Sequence, residues 1–110
     1  MPGISIHVVD VSRGKVAAGM RVELIRDGRP VAVGQTSEKG LLEVDQTMPA
    51  GVYDAVFHVA DWYRAQTVAL PEIPFLEVVT YRFGIDDPKQ HYHLPFKCTP
   101  WGYSCFRGGA

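Results

Sequence analysis

The sequence has 110 residues, with 11 Lys and Arg against 12 Asp and Glu and a formal net charge of −1. Such a balance supplies no broad positive field for nucleic acid or an anionic membrane surface, and no run of about twenty apolar residues offers a membrane span. The length suits one domain, residues 1–110, with a modest core. The opening Met1-Pro2-Gly3-Ile4-Ser5 lacks the basic and apolar regions of a secretory signal, and Gly108-Gly109-Ala110 is not a peroxisomal Ser-Lys-Leu, so a cytoplasmic protein is expected.

In chain order, Ile4 to Val11 is rich in β-branched residues and bounded by turn formers, which predicts a first strand. Strand side chains alternate faces, so Ile4, Ile6 and Val8 take one side while Ser5, His7 and Val9 take the other. Met20–Arg26 and Val31–Thr36 predict two short strands joined by the turn Asp27-Gly28-Arg29-Pro30. Thr36 to Gly40 is a further turn, and Leu41–Asp45 leaves it as a strand. Gly51–Ala60 alternates through Val52 and Val56 and predicts another. Asp61 can cap a short helical segment, Trp62 to Ala65. A loop with Pro71 and Pro74 follows, then a strand from Phe75 to Phe83. Seven or eight short strands with at most one small helix predict an all-β, two-sheet sandwich.

The last twenty residues predict a hairpin. His91, His93, Pro95 and Lys97 share one face of its first arm, and Tyr92, Leu94, Phe96 and Cys98 share the other. Thr99-Pro100-Trp101-Gly102 turns the chain, and Tyr103 to Arg107 returns beside it. Cys98 and Cys105 fall on the core side by parity, where they can lie opposite each other. In a reducing cytoplasm two buried thiols are expected in preference to a disulfide. No Gly-rich phosphate loop, CxxC pair or HExxH motif is present, and Ser104 sits in no nucleophile-elbow pattern. The His-x-His pair with His7 could hold zinc by its strand geometry, although no supporting carboxylate is evident. His58 is expected to be structural.

The terminal stretch is similar to the signature of the transthyretin-like family, whose enzymes are 5-hydroxyisourate hydrolases of purine breakdown and whose wording is close to HYHxPLLLSPYGYSTYRGS. His91-Tyr92-His93, Pro95, Pro100, Gly102-Tyr103-Ser104 and Arg107-Gly108 stand in register with it. A second block, His7-Val8-Val9-Asp10 with Gly14 and Ala17-Ala18-Gly19, resembles the family's THVLDxxxGxPA. Three positions depart from the hydrolases. Leu41 stands where they have an Arg, as in TNxDGR; Phe106 replaces the Tyr of the closing tetrapeptide; Gly109 replaces its Ser.

The resemblance implies the transthyretin-like sandwich, a homotetramer with sites between subunits, no metal or other cofactor, and hydrolysis of a strained cyclic ureide. It places His7 and His93 at the acid/base positions and Arg107 in support. Lys97, Leu41, Ser104, Phe106 and Gly109 are then expected to touch substrate, with Lys97 able to replace the missing Arg charge and Leu41 with Phe106 making the pocket more apolar. The expected function is a divergent hydrolase of the 5-hydroxyisourate type. The alternatives are the same scaffold recruited to another small-molecule reaction, or a binding protein without catalysis.

Overall fold

The computed structural model describes residues 2–109. Its first sheet is built on β1 (Gly3–Asp10), which lies parallel to β8 (His91–Thr99), and β8 in turn pairs antiparallel with β9 (Gly102–Cys105). Along its other edge β1 pairs first with β5 (Leu41–Val44) and then with β2 (Lys15–Val16). The second sheet has the order β4 (Arg29–Gln35), β3 (Arg21–Arg26), β6 (Gly51–Phe57), β7 (Val79–Ile85), all antiparallel. The one short helix, α1 (Val59–Ala65), follows β6. No helix among the described residues is long and apolar enough to cross a membrane.

The expected alternation holds where it matters. Ile4, Ile6 and Val8 of β1 and Tyr92, Leu94, Phe96 and Cys98 of β8 are buried between the sheets against Val22, Leu24, Tyr53, Ala55 and Phe57. Phe96 and Phe57 join the two layers face to face, ring centroids 3.8 Å apart and planes 3° from parallel. Burial of these side chains, each contributing about 1.5–3 kcal/mol, holds the sheets together and fixes which strand face is left outside. Trp62 and Tyr63 of α1 close one end of the core. There the Tyr63 hydroxyl donates to the buried Asp10 carboxylate at 2.7 Å, which also accepts from Arg13 and Ser12.

Several boundaries differ from expectation for local reasons. Asp27 and Gly28 both adopt positive φ, 53° and 75°, so the first hairpin turns on these two residues alone and β4 begins at Arg29. Pro30 then sits on an edge strand beside a register shift, where its missing N–H is tolerated. The strand expected over 51–60 stops at Phe57, because His58 is the N-cap of α1. Asp61 is inside the first turn of α1 and does not cap it; the helix has no side-chain cap. The strand expected from Phe75 starts only at Val79, because β6 ends at Val79's partner Phe57 and leaves residues 75–78 nothing to pair with. β2, two residues long, is too short to show a period.

The terminal hairpin carries the most informative difference. β9 was expected to reach Arg107 and stops at Cys105. The register that pairs Phe96 with Cys105 and His93 with Gly108 sets Phe106 opposite Pro95, which has no N–H to give the ladder. Cys98 lies opposite Tyr103 and Cys105 opposite Phe96, so the two sulfurs are diagonal and both remain thiols. Burial raises them to about 11 and about 12, which leaves both protonated near neutral pH.

Candidate active site

The outer face of the first sheet reads as rows across the strands. Ser5 of β1 is level with Glu43 of β5 and His93 of β8, and the latter with Gly108. One step along, His7 is level with Leu41 and Pro95, with Phe106 beyond. Another step on, Val9 is level with Val16, Lys97 and Ser104. Steps of two residues separate the rows by about 7 Å.

A depression of about 300 Å³ opens on the first of these rows, lined by Ser5, Leu41, Glu43, His91, His93 and Gly109. Within it the Ser5 Oγ lies 2.6 Å from His93 Nδ1 and 2.8 Å from His91 Nε2, so one hydroxyl joins two rings from neighbouring turns of the β8 pleat. The parallel pairing of β1 with β8 puts these groups side by side across 88 residues of sequence. Gly108 donates its N–H to the His93 carbonyl at 2.8 Å and lets the chain lie directly against the imidazole. A Cβ at Gly108 would stand 2.8 Å from Pro95 Cγ and 3.0 Å from His93 Cδ2.

His93 is half-buried, and its pKa falls below the ordinary 6.5. Desolvation is the largest cause; the charges that His7 and His91 carry when protonated act in the same direction. The ring is therefore neutral at neutral pH, and its Nε2 bonds to no group among the described residues. A neutral imidazole facing an open depression can take a proton from water.

The other residues expected at the site divide clearly. Leu41 and Gly109 line the depression, and His7 shares its face one row away. Lys97 shares the face too, as parity requires, but lies two rows from His93, about 13 Å along the strand. Its ammonium sits 5.8 Å from the Phe106 ring centroid, and with Ser104 it lines a separate depression of about 370 Å³. It does not supply the charge missing at Leu41 within the His93 depression. Phe106 belongs to the His7 row and is exposed.

Arg107 is turned away. Its position opposite Leu94 sends the side chain to the core side of the strand pair, where the guanidinium stacks 4.0 Å from the Tyr92 ring centroid and donates to Gln90 at 2.9 Å. His58 pairs with Glu23 at 2.6 Å on the other sheet, away from this face. Ser5 and Glu43 are the lining residues that were not expected; His91 was expected on this face beside His93 but not as a substrate contact. The signal for Ser5 was its parity with His7, and for His91 its parity with His93.

The chain is a small two-sheet sandwich with a pair of imidazoles tied to one hydroxyl on its outer face. Residues 4–108 match the HIUase/Transthyretin family, and the chain belongs to it. The 5-hydroxyisourate hydrolase of Deinococcus radiodurans is 44% identical over 97% of this chain and 96% of its own. The solved 5-hydroxyisourate hydrolase of Klebsiella pneumoniae superposes with a TM-score of 0.87 at 29% identity, over 99% of this chain and 100% of that one. The crystal structure of (S)-allantoin synthase, of which this chain covers 43%, matches 97% of it with a TM-score of 0.88 at 29% identity.

Proposed function

We propose that the protein is a divergent hydrolase of the 5-hydroxyisourate type, opening a cyclic ureide or amide by addition of water. The observation that carries this reading is His93, held by Ser5 through Nδ1, with its pKa lowered and its ring on the wall of a depression of about 300 Å³. Relatives named 5-hydroxyisourate hydrolase, matched along nearly the whole chain, support the same chemistry.

In this reading His93 Nε2 takes a proton from water as the oxygen adds to the ring carbonyl. The tetrahedral oxyanion then collapses with cleavage of the C–N bond, and the imidazolium returns its proton to the leaving nitrogen, so the ring opens with no group left on the protein. His7, the nearest titratable neighbour on the same face outside the depression, is the second acid/base group and, when protonated, the cation closest to the developing oxyanion. Among the described residues no Lys or Arg lines the depression, and Leu41 makes one wall apolar. The substrate is accordingly a neutral or weakly charged ring. Arg107 acts through the backbone of the closing segment by anchoring it to Tyr92 and Gln90.

The assembly we propose is a homotetramer. Exposed Phe106 and the free edge of β9 give a second copy an apolar and hydrogen-bonding surface beside the His7 row, and light scattering of the purified protein tests it.

The activity test mixes the protein with freshly generated 5-hydroxyisourate and follows its ultraviolet decay beside His93→Ala. Wild type accelerates decay and His93→Ala loses on the order of a hundredfold or more. Equal decay in both removes the hydrolase reading.

A further inference from the structure

The Ser5 hydroxyl has one proton to give and touches two imidazole nitrogens, at 2.6 Å on His93 and 2.8 Å on His91. It therefore donates to one ring and accepts from the other. In one arrangement His93 Nδ1–H donates to Ser5 and Ser5 donates to His91 Nε2, which leaves the His93 lone pair on Nε2. In the other, His91 Nε2–H donates to Ser5 and Ser5 donates to His93 Nδ1, which puts the His93 proton on Nε2 and leaves no base facing the depression.

We propose that Ser5 and His91 are positioning residues that hold His93 as the Nδ1–H tautomer, with the Nε2 lone pair presented to the depression; the catalytic meaning of this rests on the hydrolase reading above. Three features of the structure carry it. The shorter of the two contacts is on His93 Nδ1, so that nitrogen is committed to Ser5. Nε2 is the atom free for a reacting molecule.

The third feature concerns what happens when the ring is charged. In the Nδ1–H arrangement proton uptake at Nε2 leaves every existing hydrogen bond in place, because the Nδ1–H to Ser5 bond serves both neutral ring and imidazolium. In the reverse arrangement the Ser5 proton would oppose the new N–H and the chain of bonds would have to invert. A site whose bonds already suit the charged form needs no reorganisation when charge develops.

Glu43 of β5, level with Ser5, and His7 of β1 are the other titratable side chains facing His93. The closing segment against it, Gly108-Gly109, contributes none. His7 and His91 oppose the imidazolium when protonated. Neither Glu43 nor His7 hydrogen-bonds His93, so tautomer selection falls to Ser5.

The experiment labels the histidine rings with nitrogen-15 and reads the His93 tautomer by NMR above its pKa, in parallel with ring opening of 5-hydroxyisourate. Wild-type His93 carries its proton on Nδ1. In Ser5→Ala the population moves to the Nε2–H form, and kcat falls about tenfold or more while KM stays within about twofold. Ser5→Thr keeps the hydroxyl and restores both readouts. His91→Gln, whose amide oxygen can accept from Ser5, keeps the tautomer, and His91→Leu loses it.

A wild-type ring protonated on Nε2, or a Ser5→Ala tautomer identical to wild type in a folded protein, overturns the proposal. A protein that opens no ureide but shows the Nδ1–H tautomer with this pattern of loss and rescue refutes the hydrolase reading and leaves the positioning by Ser5 and His91 supported.

Discussion

Gly108→Ala places a single methyl group where the site has no room for one. Its Cβ would meet Pro95 Cγ at 2.8 Å and Pro95 Cδ and His93 Cδ2 each at 3.0 Å. Pro95 cannot yield by rotation, because its ring is closed onto the backbone. His93 is held on another side by Ser5 at 2.6 Å. Either the imidazole shifts and lengthens that bond, or the closing segment lifts and breaks the 2.8 Å bond from Gly108 N–H to the His93 carbonyl. Overpacking of this kind costs about 1–3 kcal/mol, and loss of a backbone hydrogen bond adds about 1 kcal/mol. For a domain of this size each kcal/mol lowers Tm by roughly 4–8 °C. A displacement of about 1 Å at a reacting group costs on the order of a hundredfold in turnover. Thermal denaturation followed by circular dichroism and the ultraviolet assay of ring opening read the two effects. Gly109→Ala and Gly102→Ala are the stability controls, since a Cβ at either meets nothing within 4 Å. A Gly108→Ala protein with the Tm of those controls and the turnover of wild type would refute the packing argument.

With His93 as the base, ring opening falls in acid with an inflection below 6.5, since desolvation and the charges of His7 and His91 disfavour the protonated ring. An inflection above 6.5 contradicts that assignment. Leu41→Arg puts a cation on the wall of the depression and raises the rate of ureide opening by about tenfold or more, and His93→Ala in the same background removes the gain; no gain would show that the oxyanion forms elsewhere. Asp10→Ala strips the acceptor from Ser12, Arg13 and Tyr63 and destabilises by about 3 kcal/mol or more, measured by urea unfolding. These hydrogen bonds outweigh burial and hold the Asp10 carboxyl below its ordinary 3.8, so its contribution is present above that value and is lost as pH falls through the lower folded one. A urea midpoint unchanged by the substitution removes that account.

Alternation along strands makes the core face readable from the sequence. The β-branched run Ile4, Ile6, Val8 and the apolar set Tyr92, Leu94, Phe96, Cys98 are buried as a period of two demands. What parity cannot give is which rows of two distant strands come level. Ser5 carries no local mark of its role, and its contact with His93 exists only because β1 and β8 pair in parallel in one register. The same gap misplaced Lys97. Its face was legible and its two-row distance from His93 was not. Arg107 failed for another reason, since the family position says where the backbone runs, whereas the side chain follows the pleat to the Tyr92 side. Asp61 looked like a helix cap by residue type, but the helix starts where β6 runs out of partner, and tertiary pairing decided it.

The row map also explains how one substitution at residue 41 can alter selectivity without disabling the base. Ser5, Glu43 and His91 surround His93 with groups that bond protons. The next row, Leu41, His7, Pro95 and Phe106, has one imidazole among apolar neighbours. A ligand spanning both rows meets hydrogen-bonding groups at one end and aliphatic or aromatic surface at the other. An Arg at position 41 would place charge in the His7 row, leaving the Ser5 bond to His93 untouched. The proton-transfer unit and the wall that selects ring polarity are therefore separable on this sheet, because adjacent rows lie about 7 Å apart and share no hydrogen bond through Ser5. Leu41, Phe106 and Gly109 lie outside the imidazole pair, which keeps its geometry from β1 and β8.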